Sequence, residues 1–112
     1  MDPEDRFWDI AEPLLLTREA VTRSTMMGFP CLRVHGGFFA AYDRKRGHLV
    51  VKLPADRVVA LVQGGGAVPF APAGRTFREW AAIPASDGDR WSGLLDDALA
   101  FVDSGSPRQP GA

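Results

Sequence analysis

Residues 25–54 read TMMGFPCLRVHGGFFAAYDRKRGHLVVKLP, and the spacing of apolar residues in them decides the fold class. Cys31-Leu32-Arg33-Val34-His35 alternates, with Leu32 and Val34 on one side and Cys31, Arg33 and His35 on the other. Such alternation is the mark of a strand whose sheet is covered on one face. Gly36-Gly37 offers the backbone freedom of a tight hairpin, and Phe38 to Tyr42 reads as the returning strand. Asp43-Arg44-Lys45-Arg46-Gly47 is then a polar connection. His48 to Leu53 forms the next strand, with Leu49, Val51 and Leu53 facing one way and Lys52 the other. The stretch predicts an antiparallel meander.

Working outward, Thr22 to Met27 reads as a preceding strand, with Gly28-Phe29-Pro30 as a turn or bulge. Before it, Asp2-Pro3-Glu4-Asp5 has the cap, first-turn proline and acids of a helix start. Phe7, Ile10, Ala11, Leu14 and Leu15 follow at helical spacing, and Pro13 should kink that helix or end it soon after. After the meander, Pro54-Ala55-Asp56 opens a short helix that Gly64-Gly65-Gly66 terminates. Thr76 to Ile83 reads as a further strand. Ser86-Asp87-Gly88-Asp89 is placed to cap a last helix with Trp91, Leu94, Leu95, Ala98, Phe101 and Val102 on its apolar face.

This order predicts an α+β fold, an antiparallel sheet with the N- and C-terminal helices packed on one face. Residues 1–103 form one domain in this reading, and residues 104–112, SGSPRQPGA, a disordered tail. The acidic start MDPEDRFWDI lacks a basic region followed by an apolar run, and no stretch reaches the 18 or so apolar residues of a membrane span. A cytoplasmic protein without a membrane association is expected. Cys31 is the only cysteine, so no disulfide forms within the chain, which suits a reducing compartment.

The net charge of −1 hides a segregation along the chain. Residues 18–78 hold ten Lys and Arg against Glu19, Asp43 and Asp56, a net of +7, while residues 1–17 and 79–112 each carry a net of −4. Blocks of opposite sign arise from a polarised surface, or from terminal helices that pair with the sheet they cover.

Familiar catalytic and ligand-binding patterns fit poorly. His35 and His48 are the only histidines, no Gly-x-Ser-x-Gly elbow accompanies them, and Cys31 lies about 13 Å from His35 along a strand. Gly64-Gly65-Gly66 follows a helix instead of opening one, which favours a terminator over a phosphate loop. Asp87, Asp89, Asp96, Asp97 and Asp103 have the spacing of a solvated helix face more than that of a hard-cation site. Trp8 and Trp91 read as core, whereas Trp80 with Arg75 and Arg78 combines the cation and aromatic of a single-strand binder. No catalytic residue, metal or cofactor is expected.

What stands out is a set of cations on strands and loops: Arg33, Arg44, Lys45, Arg46, Lys52, Arg75 and Arg78. Arg33 and Lys52 fall on outward faces, and a shared surface of this kind can hold a nucleic-acid backbone without reading bases. The pI near 6.1 fits ordinary solubilising charge equally well.

GFPCLRVHGGFFAAY followed by HLVVKLPADRVVALV resembles the small bacterial YjbR/MmcQ-like family and the related N-terminal domain of TfoX/Sxy competence regulators. Gly37, Phe39 and Ala40 match the family hairpin, Lys52 its strand lysine, and AGRTFREWAAIP the segment before the last helix in the TfoX-like branch; the likeness spans residues 20–102. It implies an α+β sandwich with a frataxin-like layout and a DNA-binding or regulatory module without catalytic residues. Phe38 stands where the family carries Lys or another polar residue. The expectation is therefore a small non-enzymatic bacterial protein, either binding DNA nonspecifically through its basic surface or, alternatively, serving as a protein-interaction module. In the second case exposed apolar sheet residues such as Phe38 or Tyr42 form a homodimer or adaptor interface.

Overall fold

The computed structural model describes residues 2–104. Six antiparallel strands, β1 (Val21–Met26), β2 (Phe29–Val34), β3 (Gly37–Asp43), β4 (His48–Lys52), β5 (Val68–Pro69) and β6 (Trp80–Ile83), lie in the order β1-β2-β3-β4-β6-β5. Helices α1 (Pro3–Thr17) and α3 (Trp91–Asp103) cover one face, and α2 (Ala55–Gln63) links β4 to the β5 edge. The fold class is the expected one. Among the described residues no helix is long and apolar enough to cross a membrane. The tail assigned to residues 104–112 lies outside the described residues, except for Ser104, whose backbone N–H bonds the Ala100 carbonyl at 3.0 Å.

Helix α1 starts as its sequence dictates: the Asp2 side chain accepts from the Glu4 N–H at 2.9 Å, and Pro3 occupies the first turn. It runs on through Pro13 and ends one turn later, where the Thr17 hydroxyl donates to the Pro13 carbonyl at 2.7 Å. At the other end, α3 is not capped by Ser86-Asp87-Gly88-Asp89 as expected. Residues Ala85–Arg90 form a 3-10 segment, and Arg90 precedes α3 without a side-chain cap bond.

Both hairpins that flank β2 use a two-residue turn shifted by one position from the sequence reading. Met26 pairs with Phe29 across Met27-Gly28, and Val34 pairs with Gly37 across His35-Gly36. All four turn residues have positive φ, 53° and 82° in the first turn and 49° and 80° in the second, as the twist-matched hairpin turn requires. Phe29 and Pro30 therefore belong to β2, not to a turn. Pro30 pairs only with Thr25 of β1 and lies beyond the register with β3, where its missing N–H breaks no ladder. Met27 is half exposed and strained by its left-handed backbone. Met27→Asn, a residue that tolerates this conformation, should raise stability by about 0.5–1 kcal/mol, read as a higher urea midpoint at unchanged slope.

A bulge in β3 decides which side chains reach the core. Leu32 pairs with Ala40 while Arg33 pairs with Phe38, so Phe39 is an extra residue on β3. The shift puts two successive residues, Phe39 and Ala40, into the helix-covered core, and Phe38 on the opposite face. It also corrects the expectation for Tyr42. Without a bulge, Phe38 and Tyr42 share a face; with it, Tyr42 is buried beneath the helices against Phe7 and Trp91.

The main core gathers Phe7, Leu32, Phe39, Leu49, Ile83, Trp91, Leu95 and their neighbours. Leu99 of α3 joins it, where the sequence pattern pointed to Phe101, which is only half buried. A second, smaller cluster occupies the other face. Cys31, Ala41, Val50 and Ala82 make one continuous cross-strand row there, capped by Phe70 from the loop between α2 and β6. That loop departs from the sequence reading as well. The strand expected over Thr76 to Ile83 is confined to Trp80–Ile83, because the Phe77 N–H bonds the Phe70 carbonyl at 3.0 Å and pulls residues 75–79 over the sheet. The short edge strand β5, Val68–Pro69, was hidden in the Pro/Gly-rich segment.

Candidate functional site

The cations singled out by sequence are spread over two ends of the sheet. At one end, Arg33 faces away from the main core and its guanidinium lies 4.5 Å above the Phe38 ring, its pair on β3. Lys52, paired with Trp80, sits near that end and reaches Glu79 at 3.8 Å. Arg78 lies just before β6, and Arg75 is further back on the same loop. At the opposite end is the Arg44-Lys45-Arg46 turn, about 16 Å from Phe38 at the rise of an extended strand. The register thus brings Arg33, Lys52 and Arg78 toward one end and leaves the tripeptide at the other.

Several of these cations are held by carboxylates. Arg44 donates through Nε and Nη2 to the two oxygens of Glu4, at 3.0 and 2.9 Å. This two-pronged bond holds the Glu4 carboxyl below its ordinary range. Arg46 bonds Asp43 at 3.0 Å. Beyond the set, Asp97 binds Arg57 at 2.7 Å and Asp103 meets His35 at 3.2 Å. The acidic ends of the chain therefore do pair with its basic middle. None of the ion pairs among the described residues involves Lys45, Arg75 or Arg78, and all three are exposed.

Cys31 is fully buried in the sheet's second cluster, and burial pushes its thiol up, away from the reactive thiolate. Of the acidic set, Asp97 and Asp103 of α3 pair with Arg57 and His35, Asp89 in the preceding 3-10 segment pairs with Arg6, and no group of three or more potential metal ligands occurs among the described residues. Gly64 caps α2 and Gly65 takes φ 80°, so the glycine triplet acts as a helix terminator.

One concavity was not signalled by any motif. A groove of about 540 Å³ runs between α2 and the segment that leads into β6, with Val58, Val59 and Val62 on one wall and Phe77 and Trp80 on the other. It exists because α2 turns only Val58 fully into the core, and Val59 stays 53% exposed. Asp56 and Gln63 mark the α2 side of its rim and Arg78 the opposite side. The sequence hint was present in Val58-Val59, adjacent residues whose side chains diverge by about 100° on a helix, so that Val59 turns outward when Val58 points fully into the core. Apolar walls with few polar groups suit a hydrophobic side chain, and exposed apolar surface of this kind is a hallmark of binding sites. No family model matches the chain, and comparisons with curated proteins and with solved structures gave no match.

Proposed function

We propose that this chain is a regulatory interaction module, doing no chemistry of its own, that binds an apolar segment of a partner protein in the groove between α2 and β6. The groove itself carries this reading: about 540 Å³ of concave surface walled by Val59, Val62, Phe77 and Trp80. Trp80 and Phe77 supply the rigid aromatic area that dominates binding energy at protein interfaces. Arg78 at the rim, with Arg75 on the same loop, favours acidic residues beside the partner's apolar anchors. The likeness to YjbR and TfoX-type domains is part of the proposal and agrees with a regulatory role.

A second reading has its own support. Exposed Arg75 and Arg78 stand beside half-buried Phe77 and Trp80, the pairing of cations and stacking surfaces that single-stranded nucleic acid uses. Peptides selected against the wild-type protein from a random display library, then measured on variants, separate the two. Selected peptides should carry spaced apolar residues flanked by Asp or Glu, bind Val59→Asp at least tenfold more weakly, and bind the Arg44, Lys45 and Arg46 triple alanine variant unchanged. Peptides that bind Val59→Asp as well as wild type sink the groove reading. A labelled oligonucleotide whose affinity falls steeply between low and moderate salt, and falls further in an Arg75, Arg78 double alanine variant, supports the second reading instead.

A further inference from the structure

The β3–β4 turn and the loop after β5 enclose a second, separate site at the opposite end of the sheet's open face. Asp43 and His48 are a cross-strand pair there, and Val68, Phe70 and Pro72 fold over them, leaving a pocket of about 220 Å³. Asp43 is 1% exposed, and the three hydrogen bonds to its carboxylate all come from within the turn. Oδ1 accepts the backbone N–H groups of Lys45 at 2.9 Å and Arg46 at 3.3 Å, and Oδ2 accepts Nη1 of Arg46 at 3.0 Å. The Asp43 charge is thus compensated within the turn. Only Nη1 of Arg46 is committed; its Nε and Nη2 donate to no residue among those described.

His48 completes the donor set. Its Nδ1 is buried without a hydrogen-bond partner, while Nε2 is not so sequestered. An unpartnered buried N–H costs more than an unpartnered lone pair. The neutral ring therefore keeps its proton on Nε2, which makes that nitrogen a donor. Burial depresses the His48 pKa, Asp43 raises it and Arg46 lowers it again, so the ring is neutral at physiological pH. The other elements around it, Val68 to Pro72 and Ala82, bring no titratable group.

The pocket is lined by apolar residues together with Arg46, His48 and Asp43. Because the Asp43 carboxylate is already bonded within its turn, the groups left to meet a ligand are a guanidinium edge and an imidazole N–H, which are complementary to a carboxylate. We infer that the pocket formed by Arg46, His48, Val68, Phe70, Pro72 and Ala82 binds a small monocarboxylate whose body is a compact apolar group of about the size of a benzene ring. The carboxylate lies against the free N–H groups of Arg46 and Nε2–H of His48, and the apolar body sits against Phe70 and Ala82. The volume is below that of ordinary ligand pockets, which excludes nucleotides and other extended ligands. The site shares Pro69 with the groove between α2 and β6 but none of its polar groups, so either can fail alone.

Benzoate and its neutral isostere benzamide, each titrated into the isotopically labelled full chain and followed by amide and imidazole resonances, test this directly. Benzoate should bind saturably with a Kd of about 1 mM or tighter, shifting His48, Phe70 and Ala82 signals. Benzamide should bind at least tenfold more weakly. Arg46→Lys, which keeps the charge and a bond to Asp43 but loses the planar fork, should weaken benzoate at least fivefold, while Arg78→Ala leaves it unchanged. Equal binding of benzoate and benzamide, saturation that is indifferent to Arg46→Lys in a folded variant, or the absence of shifts at the His48 pocket overturns the inference.

Discussion

Trp91→Ala should remove about 3–5 kcal/mol of unfolding free energy, a large share of the roughly 5–15 kcal/mol that holds a typical domain folded. Trp91 is completely buried at the first turn of α3, with an edge-on contact to Tyr42 at 6.3 Å between ring centroids. Its indole N–H donates to the Pro84 carbonyl at 3.3 Å. Alanine leaves a cavity between α3 and the sheet that the antiparallel ladder cannot collapse to fill, and it orphans the Pro84 carbonyl. Trp91→Phe keeps most of the packing and loses the hydrogen bond, so its cost should be about 1–2 kcal/mol. Urea unfolding followed by circular dichroism reads both. A loss below about 1.5 kcal/mol for the alanine variant would mean that α3 is not packed as described.

Asp43→Ala should cost about 2–3 kcal/mol, the largest effect expected from any polar substitution in the chain. Asp43 is the only charged residue in the buried set among those described, and one carboxylate organises the whole β3–β4 turn. Removing it strands two backbone N–H groups in a partly buried turn and frees the Arg46 side chain. Asp43→Asn retains the Oδ1 acceptor and should lose about half as much. At about 4–8 °C per kcal/mol for a domain near 100 residues, the alanine variant should melt roughly 8–24 °C below wild type. Equal melting of the alanine and asparagine variants would show that the backbone bonds to Oδ1 contribute nothing.

Much of the fold is legible in local patterns because those patterns report local physics. The acids and proline before Phe7, the alternation at Leu32 and Val34, and the glycine triplet after Gln63 each encode a backbone preference or a buried stripe within a few residues. The misplaced features have a different origin. Met27 enters a left-handed turn position that its residue type avoids, and His35 enters another, because the register of the paired strands requires two-residue turns there. The bulge at Phe39 leaves no mark in the unbroken apolar run Phe38-Phe39-Ala40-Ala41-Tyr42, and it is the bulge that turns Tyr42 to the face opposite Phe38. The sequence from Thr76 onward reads as strand, but the bond from Phe77 to Phe70 turns Phe77 onto the second cluster and delays the strand to Trp80.

The two candidate sites follow the same division. The sequence pointed to cations, and cations are visible one residue at a time; where they lie relative to each other depends on register and on the acids that reach them. Residue spacing alone determined the α+β class, the helix-covered face with Leu32, Val34, Leu49 and Val51 pointing into it, and a basic middle flanked by acidic ends. Tertiary structure alone decided that Glu4 clamps Arg44 from 40 residues away, that Val59 and Trp80 face each other across a groove, and that Asp43, Arg46 and His48 meet beneath Phe70. Periodicity records which side of an element is apolar. It carries no record of which distant element arrives to cover that side, because that is set by the strand order and by packing summed over the whole chain.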